Sequence, residues 1–288
     1  MDGEDIPLAA GARLTAEELD AAEGLGRAGT GLLHEICLDK LSKLHIREMP
    51  FCDGVTGSTG GQVWPASIAL ARLLLREPSL IDGKCVVELG SGCGLASVVA
   101  ARSARRVLVT DGDGDAVANS RANLLLNAAF WRGGDAAEVF VQEMLWEDMA
   151  KGWPQSARVD VIMGSDITYQ NNQGHMLTKV AEQILRPGGL FILVSDASRG
   201  GVHFLRDAMS AAGFDVEGSE CEDENGQFCI CLCRRAESRK AGWGSWYLPE
   251  QWEEYHHPSL DTPYYWNTET GEIVWSLAET GAVQVEAA

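Results

Sequence analysis

The strongest pattern in the sequence is an alternation of short apolar runs with amphipathic stretches between residues 64 and 235. Within the amphipathic stretches, apolar residues recur at helical spacing, as Leu177, Val180 and Ile184 do. Near-continuous apolar strands separated by helices are typical of a buried, mostly parallel sheet. The pattern therefore predicts a doubly wound α/β fold. Its predicted strands are Cys85–Leu89, Arg106–Thr110, Val139–Val141, Val159–Gly164 and Leu190–Ser195.

Two later runs, Phe214–Val216 and Phe228–Cys233, have no long helix between them and predict a closing hairpin at an edge of the sheet. In the second run Cys229, Cys231 and Cys233 alternate, so all three thiols face one side of the strand. That geometry is poor for a tetrahedral metal site, whereas small buried thiols are common in sheets. We interpret these cysteines as packing residues and expect no metal site.

The chain before the α/β region carries weaker signals. Residues 1 to about 30 are acidic and rich in Ala and Gly, with one short helical stretch at Leu14–Leu19, and they predict a loosely held arm. We interpret Leu32–Leu41 as a helix. Leu44–Arg47 begins a candidate strand–turn–strand unit that crosses the Gly-, Ser- and Thr-rich stretch Asp53–Gly61. The main domain is therefore expected to begin at residue 44.

Charge narrows the classes of partner. The 288 residues carry 23 Lys and Arg against 42 Asp and Glu, a net charge of −19. Such a chain repels phosphate backbones and anionic membrane surfaces, which disfavours nucleic acids and membranes as partners. No apolar run approaches the roughly 18 residues of a membrane span. A basic partner or a neutral small molecule stays compatible with this charge.

The N-terminus and the cysteines bear on location. Met1–Asp5 is acidic and lacks the basic and apolar regions of a signal peptide. The eight cysteines include no CxxC pair, and without a secretory signal they are interpreted as reduced thiols. We expect a cytoplasmic or nuclear protein.

A glycine-rich loop joins the strand at Cys85–Leu89 to the next helix. Gly90, Gly92 and Gly94 follow a GxGxG spacing instead of the GxGxxG of a dinucleotide site. An acid, Glu88, stands two residues before the loop, and the next strand ends at Asp111, placed to accept hydrogen bonds from ribose hydroxyls. An acid-rimmed glycine loop fits S-adenosylmethionine, which is cationic and carries no phosphate. A tight turn that serves only packing is the alternative.

Four separated motifs occur in a recognisable order: Gly61–Ala66, Glu88–Gly94, Thr110–Asp113, and Leu145–Trp146 with Gly164–Tyr169. Together they resemble the motifs of the seven-strand, non-histone protein lysine methyltransferases (methyltransferase family 16), the group that contains the calmodulin- and elongation-factor-lysine enzymes. The resemblance covers about residues 44–235. It implies a seven-strand, Rossmann-like class I methyltransferase sheet and S-adenosylmethionine as the cofactor.

The resemblance also implies roles for single residues. Trp64 would line the methionine end of the cofactor, Asp111 would bind the ribose, and Trp146 would pack on the adenine. Asp166 and Tyr169 would border the site of methyl transfer, where Asp166 attracts and orients the incoming ammonium. A helix cap for Asp166 and simple packing for Tyr169 are the alternative roles. The other implied cofactor contacts are Glu88, Gly90, Ser91, Gly92 and Ser165.

The segment after residue 240 has its own composition, with five of the nine tryptophans, eight acidic residues and no basic residue. Trp252 and Trp275, 23 residues apart around a Tyr-Tyr-x-Asn run, resemble the pattern of a WW domain, a three-strand sheet that binds proline-rich peptides. The resemblance implies that Trp252 and Asn267 hold the fold, and that Tyr264 and Trp275 clamp a polyproline-II ligand. A Trp-rich segment that only docks on the main domain is the alternative.

The sequence as a whole predicts an S-adenosylmethionine-dependent protein-lysine methyltransferase whose tail recruits proline-containing partners. A methyltransferase of the same fold acting on histidine, a protein N-terminus or a small molecule is one alternative, and a non-catalytic WW adaptor is another. We expect a protein substrate and a monomeric enzyme. The predicted domains are residues 1–43 (arm and helix), 44–235 (methyltransferase), 236–242 (linker), 243–278 (WW-like) and 279–288 (tail).

Overall fold

A computed structural model of the chain describes residues 13–24, 32–49, 60–133, 137–168, 173–236, 246–247, 251–256, 263–268, 270–275 and 283–284. Contacts within the chain divide it into two units, residues 1–237 and residues 238–288. The first unit holds a seven-strand sheet with its helices, and the second holds short antiparallel strands.

The strands of the first unit are β1 (Leu32–Cys37), β2 (Lys43–Glu48), β3 (Cys85–Leu89), β4 (Arg106–Asp111), β5 (Glu138–Glu143), β6 (Val159–Ser165), β7 (Leu185–Asp196), β8 (Phe214–Asp223) and β9 (Gly226–Arg235). The last seven form one sheet in the order β5-β4-β3-β6-β7-β9-β8. Strands β3 to β7 run parallel to one another. The predicted α/β fold with a mostly parallel sheet is confirmed, and its strand order is that of a doubly wound fold.

The helices of this unit are α1 (Ala16–Gly24), α2 (Pro65–Arg76), α3 (Leu95–Ala100), α4 (Gly114–Leu126), α5 (Ala128–Trp131), α6 (Trp146–Gly152), α7 (Gln173–Ile184) and α8 (Gly201–Ala211), with 3₁₀ turns at Pro78–Leu80 and Gln155–Ala157. Residues of β7 alternate between two apolar clusters, with Ile192 in the cluster that α2 and α3 share, and Leu193 in the cluster that α7 and α8 share. The sheet is therefore buried on both faces. No helix in the described ranges is long and apolar enough to cross a membrane.

An antiparallel hairpin of β8 and β9 closes one edge of the sheet, as the two late apolar runs predicted. Cys231 and Cys233 of β9 are buried in one of the two apolar clusters, and Cys229 packs against the same cluster. Phe228 and Ile230 belong to the other cluster. The alternation therefore places the three thiols on one face, among apolar side chains.

The helix predicted over Leu32–Leu41 is wrong, because these residues form β1 and the turn into β2. The Asp39 carboxylate accepts hydrogen bonds from the backbone N–H groups of Leu41 (2.7 Å) and Ser42 (2.6 Å). Such an Asx turn reverses the chain where a helix would have to continue. Buried and more exposed residues alternate along β2, which fixes the strand register.

Three asparagines hold this hairpin on helix α4, and the sequence analysis missed them. Asn123 and Asn127 each pair an amide with the backbone of β2: Asn123 accepts from Arg47 N–H at 2.8 Å, and Asn127 accepts from His45 N–H at 2.9 Å. Both asparagines donate in return to the carbonyl oxygens of the same two residues. Asn119 accepts from the Arg47 guanidinium at 2.9 Å. These side-chain amides bond to the backbone of β2 as a neighbouring strand would. The buried face of α4 and its C-terminal end is therefore partly polar.

Residues 13–24 pack against the edge of the sheet, so the expected looseness of the arm does not extend to them. Leu14 and Leu19 are buried, and Leu14 N–H donates to the carbonyl oxygen of Val139 in β5 at 2.9 Å. Thr15 and Glu18 cap the start of α1 by accepting each other's backbone N–H groups. Ion pairs of Arg13 with Glu138, Glu18 with Arg121 and Asp20 with Arg132 add to these contacts, and together they anchor the segment.

The strands of the second unit are β10 (Trp246–Tyr247), β11 (Trp252–His256), β12 (Pro263–Asn267), β13 (Ile273–Val274) and β14 (Val283–Gln284). β11, β12 and β13 form a three-strand antiparallel sheet, and β10 pairs with β14. Trp252, Tyr265 and Val274 are buried against one another as its apolar cluster. Asn267 is also buried, and its side chain accepts from the N–H of Thr270 at 2.9 Å.

Candidate functional site

A cavity of about 650 Å³ opens at the carboxyl ends of the central parallel strands of the first unit. Ligands of open α/β sheets bind at this edge, next to the strand where the strand order changes direction. Here that strand is β3, which has β4 on one side and β6 on the other. Seven of the residues that the sequence singled out line it: Trp64, Gly90, Gly92, Asp111, Trp146, Ser165 and Asp166. Tyr169, the other residue expected near methyl transfer, lies outside the described residues.

The glycine loop gives the cavity a floor of bare backbone. Gly90 has φ +61°, and a Cβ atom there would lie 2.7 Å from Cγ2 of Ile167. Gly92 has φ +51°, and a Cβ atom there would lie 3.2 Å from the carbonyl oxygen of Gly60. Positive φ is costly for residues with a Cβ. The loop can therefore approach a ligand closely only because these positions are glycines.

Asp111, at the end of β4, ties the loop to the start of α4. Its carboxylate accepts hydrogen bonds from the backbone N–H groups of Gly92 (2.9 Å) and Asp113 (3.1 Å). Burial raises the pKa of Asp111, while these N–H groups favour its charged form. Asp113 in turn caps α4 by accepting from the N–H of Asp115 at 2.8 Å. The carboxylate is thus fixed in place at the mouth of the cavity.

Glu88 and Ser91 lie behind the cavity wall and not on it. Glu88 is buried and accepts a hydrogen bond from the hydroxyl of Ser97 in α3. Burial raises the pKa of Glu88 to about 8 against the effect of this hydrogen bond, and the nearby Asp111 charge adds to the rise. The N–H of Ser91 donates to the carbonyl oxygen of Thr110 at 2.9 Å. Glu88 therefore supports the loop from inside the fold, and Ser91, which is part of the loop, fixes it to the end of β4 through its backbone.

Asp166 directly follows β6 and has a left-handed conformation, with φ +52°. Its Oδ1 atom accepts from the Ser195 hydroxyl and from the N–H of Asp196, both at 2.9 Å. The Arg199 Nε atom lies 3.4 Å from the same oxygen. A non-glycine residue with positive φ is uncommon and concentrates at functional sites. Contacts from the end of β7 therefore hold this carboxylate in a fixed position beside the cavity.

Two tryptophans and an arginine flank these carboxylates. Pro65 begins α2, which leaves Trp64 at the helix cap on the cavity wall. The Arg199 guanidinium lies over the Trp64 ring, 5.6 Å from its centroid. Trp146 begins α6 on another wall of the cavity, after the exposed Leu145. The site therefore combines aromatic walls with charged groups.

Sequence motifs did not single out several lining residues, among them Gly60, Met144, Glu147, Gln173 and Arg199. The topology offers a signal that could have found some of them. Met144 directly follows β5, and Arg199 follows the end of β7 by three residues. Residues just past the carboxyl ends of parallel strands collect at one edge of the sheet.

The charges of the cavity fit a cationic ligand. Among the described lining residues, Asp111, Asp113, Glu147 and Asp166 carry carboxylates, and Arg199 carries the positive charge. A pyrophosphate would meet several carboxylates there. S-adenosylmethionine has a sulfonium and no phosphate, so it avoids this repulsion, and the glycine loop presents backbone without Cβ atoms to it. The residues present therefore fit this cofactor.

The second unit carries a separate aromatic pair. The rings of Tyr264 and Trp275 have centroids 5.4 Å apart and planes inclined at 48°. Trp275 is 49% exposed and Ile273 is 55% exposed. Exposed aromatic pairs of this kind are typical of peptide-binding surfaces.

Comparison with known proteins shows which family the first unit resembles. The profile of the family described as lysine methyltransferase matches residues 42–208. The chain is 28% identical over 171 residues to protein-lysine N-methyltransferase EFM3 of Chaetomium thermophilum, covering 56% of this chain and 50% of that protein. It is 30% identical over 171 residues to protein N-lysine methyltransferase METTL21A of Danio rerio, covering 56% and 76%.

A third relative is named for methylation of protein N-termini as well as of lysine. The chain is 29% identical over 150 residues to protein N-terminal and lysine N-methyltransferase EFM7 of Eremothecium gossypii, covering 49% of this chain and 56% of that protein. For several of these curated relatives, the chain spans about half of their length or less.

Solved structures agree on the fold. The chain matches a putative SAM-dependent methyltransferase from Streptococcus mutans with a TM-score of 0.54 and 16% identity, covering 72% of this chain and 56% of that one. It matches the Thermus thermophilus 16S rRNA N2 G1207 methyltransferase, solved with AdoMet and guanosine, with a TM-score of 0.51 and 19% identity, covering 72% and 51%. The family match spans more than half of the chain and includes the glycine loop, Asp111 and Asp166. The chain belongs to the lysine methyltransferase family of S-adenosylmethionine-dependent enzymes.

Proposed function

We propose that the chain transfers a methyl group from S-adenosylmethionine to the side-chain amine of a lysine in a protein substrate. The observation that carries the proposal is the cavity itself: an acid-lined space over a bare glycine loop, at the ligand-binding edge of a lysine methyltransferase fold. Its carboxylates also suit an acceptor that arrives as an ammonium.

In this proposal the cofactor lies along the strand ends. Asp111 accepts from the ribose hydroxyls, while Gly90 and Gly92 allow close approach of the backbone. Trp146 packs on the adenine and Trp64 lines the methionine end. Ser165 adds a contact beside Asp166, and Glu88 and Ser91 act indirectly, through the conformation of the loop.

Methyl transfer requires mainly that the amine and the methyl group are correctly positioned relative to each other. The bound cofactor supplies an electrophilic methyl group, which a neutral amine can attack in line. Orientation and proximity account for most of the acceleration of such a transfer. We propose that Asp166, held by Ser195 and Asp196, draws the incoming ammonium to the site and orients it. Tyr169 would form part of the channel wall. The ammonium loses one proton to water before the attack, so neither residue is required to act as a base. As the bond from nitrogen to the methyl carbon forms, the bond from that carbon to sulfur would break and release S-adenosylhomocysteine.

Label transfer tests this function. The purified chain, incubated with tritiated S-adenosylmethionine and a cell lysate, is expected to label one or a few proteins. Asp111→Ala removes the acceptor for two backbone N–H groups and for the ribose, so labelling should fall to background. Asp207→Asn, an exposed acid on α8, is the matched control and should label as the wild type does. No labelled protein above the Asp111→Ala background would reject the proposal.

Two rival functions remain distinguishable. A relative named for N-terminal as well as lysine methylation makes a protein N-terminus the first competing acceptor, ahead of histidine and small molecules. Amino-acid analysis of the labelled product separates these acceptors. A non-catalytic adaptor is the other rival, and calorimetric titration with S-adenosylhomocysteine would decide it, because an adaptor with a degenerate core would show no binding.

For the second unit we propose a WW-like module that recruits a proline-containing partner. The support is the three-strand antiparallel sheet, the buried Trp252 and Asn267, and the contact between the half-buried Tyr264 ring and the exposed Trp275 ring. A proline-rich peptide array probed with the full chain is expected to give signals that Trp275→Ala abolishes. Equal signals from the two proteins would reject the assignment.

The location and the state of assembly complete the proposal. The described cysteines, among them Cys37, Cys85 and Cys93, are free thiols, in keeping with a reducing compartment. We propose a monomeric enzyme of the cytoplasm or nucleus whose partners are its protein substrate and a proline-containing protein. Sedimentation of the purified chain at a mass near 31.1 kDa would support the monomer, and a doubled mass would reject it.

A further inference from the structure

One cationic side chain stands out in the cavity. Arg199 lies just past the end of β7, with its guanidinium over the Trp64 ring at 5.6 Å and its Nε atom 3.4 Å from Asp166 Oδ1. Among the described residues that line the cavity, it supplies the positive charge against four carboxylates. Its side chain is about one third exposed, so the guanidinium is partly withdrawn from water.

The ion pair with Asp166 does not account for this guanidinium. Asp166 Oδ1 already accepts from the Ser195 hydroxyl and from the N–H of Asp196. Arg199 Nε is buried and makes no hydrogen bond within the described residues, since its approach to Asp166 lacks hydrogen-bond geometry. Nε has almost no accessible surface, so an acceptor in the cavity would meet the remaining, partly exposed end of the side chain. That end lines the cavity, and the contact with Asp166 leaves it open to a further acceptor.

The position of Arg199 matches one end of the proposed cofactor. Asp111 ends β4 and Asp166 directly follows β6, which lies two strands away in the sheet. This is a separation of roughly 10 Å at normal strand spacing. The apolar Met144, Leu145 and Trp146 follow β5, on the opposite side of Asp111. With the adenine on that apolar side and the ribose at Asp111, the amino-acid end of the cofactor points toward Asp166 and Arg199.

We infer that Arg199 binds the α-carboxylate of the methionine moiety of S-adenosylmethionine. The inference rests on the proposed function and adds to it a residue that anchors the cofactor's amino-acid end. A guanidinium offers planar, paired donors that match a carboxylate, and the Trp64 ring holds it flat by a cation–π contact. A carboxylate placed there also leaves the negative Asp166 free to attract a cation.

The test compares ligands that differ by this one carboxylate. Calorimetry measures the Kd of S-adenosylmethionine and of decarboxylated S-adenosylmethionine for the wild type, Arg199→Gln, Arg199→Lys and Arg186→Gln. For Arg199→Gln we expect S-adenosylmethionine to bind about 10-fold more weakly, the loss typical of a hydrogen bond between charged groups. The decarboxylated ligand should change by less than about 2-fold. Arg199→Lys should lose less, because it keeps the charge without the planar fork.

Arg186→Gln is the matched control, since Arg186 is an exposed residue near the opposite end of β7 and pairs with Asp160. It should leave both affinities unchanged. Equal weakening of both ligands by Arg199→Gln, or no weakening of either, would overturn the inference and leave the proposed function intact. Failure of the wild type to bind either ligand would instead reject the proposed function. Binding of the decarboxylated ligand by Arg199→Gln shows at the same time that the variant is folded.

Discussion

The cavity of the first unit and the peptide-binding surface proposed for the second are built on very different amounts of buried structure. In the first, the cavity lies at strand ends between two extensive apolar clusters, and much of its surface is backbone held by hydrogen bonds. In the second, Trp252, Tyr265 and Val274 form the apolar cluster of the sheet that carries the Tyr264–Trp275 pair. We therefore expect the cavity of the first unit to depend on the conformation of its loop. The surface proposed for the second unit should depend on single side chains of its small core.

The largest expected effect breaks the second unit alone. Trp252→Ala should unfold the three-strand sheet, because the loss of a buried tryptophan costs about 3–5 kcal/mol and so small a core cannot absorb it. Hydrogen exchange followed by mass spectrometry should show lost protection in residues 251–275 and unchanged protection in β3 to β7. Trp275→Ala, which alters an exposed ring, is the control and should keep protection in both. Retained protection in residues 251–275 of Trp252→Ala would contradict the comparison.

The next effect tests how far the first site depends on its backbone. Gly90→Ala places a Cβ in a left-handed conformation and against Ile167, and should cost about 1–3 kcal/mol of stability. It should also weaken S-adenosylhomocysteine binding by roughly 10-fold or more, since a displaced loop no longer fits the ligand.

Gly83→Ala is a close match for this change. Gly83 has φ +65°, and a Cβ atom there would meet nothing within 4 Å, so the position shares the backbone strain and lacks the clash. Calorimetry and thermal unfolding of both variants should show a modest stability loss for Gly83→Ala and unchanged ligand binding. Similar losses of ligand binding in the two variants would mean that the contact between residue 90 and Ile167 does not determine ligand binding.

A third effect depends on pH and comes from the buried Glu88. Its pKa is about 8 in the folded chain and near 4.3 in an unfolded one. Because the folded value is the higher, the protonated group favours folding at low pH, and this contribution is lost as pH rises from about 4 to about 8. Glu88→Gln, which can still accept from Ser97, should therefore gain stability over the wild type as pH rises.

Denaturant unfolding at several pH values checks this prediction. The difference between variant and wild type should be near zero at pH 4 and on the order of a few kcal/mol at pH 8. A difference that does not change with pH would show that Glu88 is ionised inside the fold.

The smallest expected effect concerns the edge of the first unit. The hydrogen bond from Arg121 lowers the pKa of Glu18 to about 2, with help from the Thr15 N–H. The folded value is the lower one here, so the contribution to stability is present above about pH 4.5 and is lost as pH falls toward 2. Glu18 is 39% exposed, and Glu18→Gln should cost only about 0.5–1 kcal/mol at pH 7. If thermal unfolding showed that Glu18→Gln lowers the free energy of unfolding by several kcal/mol, α1 would contribute far more to stability than this ion pair explains.

Much of the first unit follows from local pattern. Apolar runs predicted its parallel strands and the edge hairpin, because a strand buried on both faces leaves a short and nearly continuous apolar signature. The β1 strand was not found, since its side chains are largely exposed and the decisive signal is the Asp39 turn. The asparagines of α4 were missed because polar residues on a helix usually indicate a solvent-facing side.

The site was predictable where motifs sit at strand ends. Gly90, Asp111 and Asp166 belong to sequence patterns whose chemistry can be recognised, and the structure brings them to one cavity. Arg199 belongs to no motif and reaches the cavity only through the sheet order that places β7 beside β6. The depth of Glu88 could not be foreseen either, since it follows from the packing of α3 on the loop.

The central claim is that the acid-lined cavity delivers a methyl group to lysine, and the identity of the methylated atom tests it most directly. Proteins labelled by the chain with S-adenosylmethionine are digested and analysed by mass spectrometry, with Asp111→Ala in parallel. The account predicts methyl groups on lysine Nζ that are absent from the Asp111→Ala sample. Methylation confined to histidine or to a protein N-terminus, or no methylation beyond that of the variant, would contradict it.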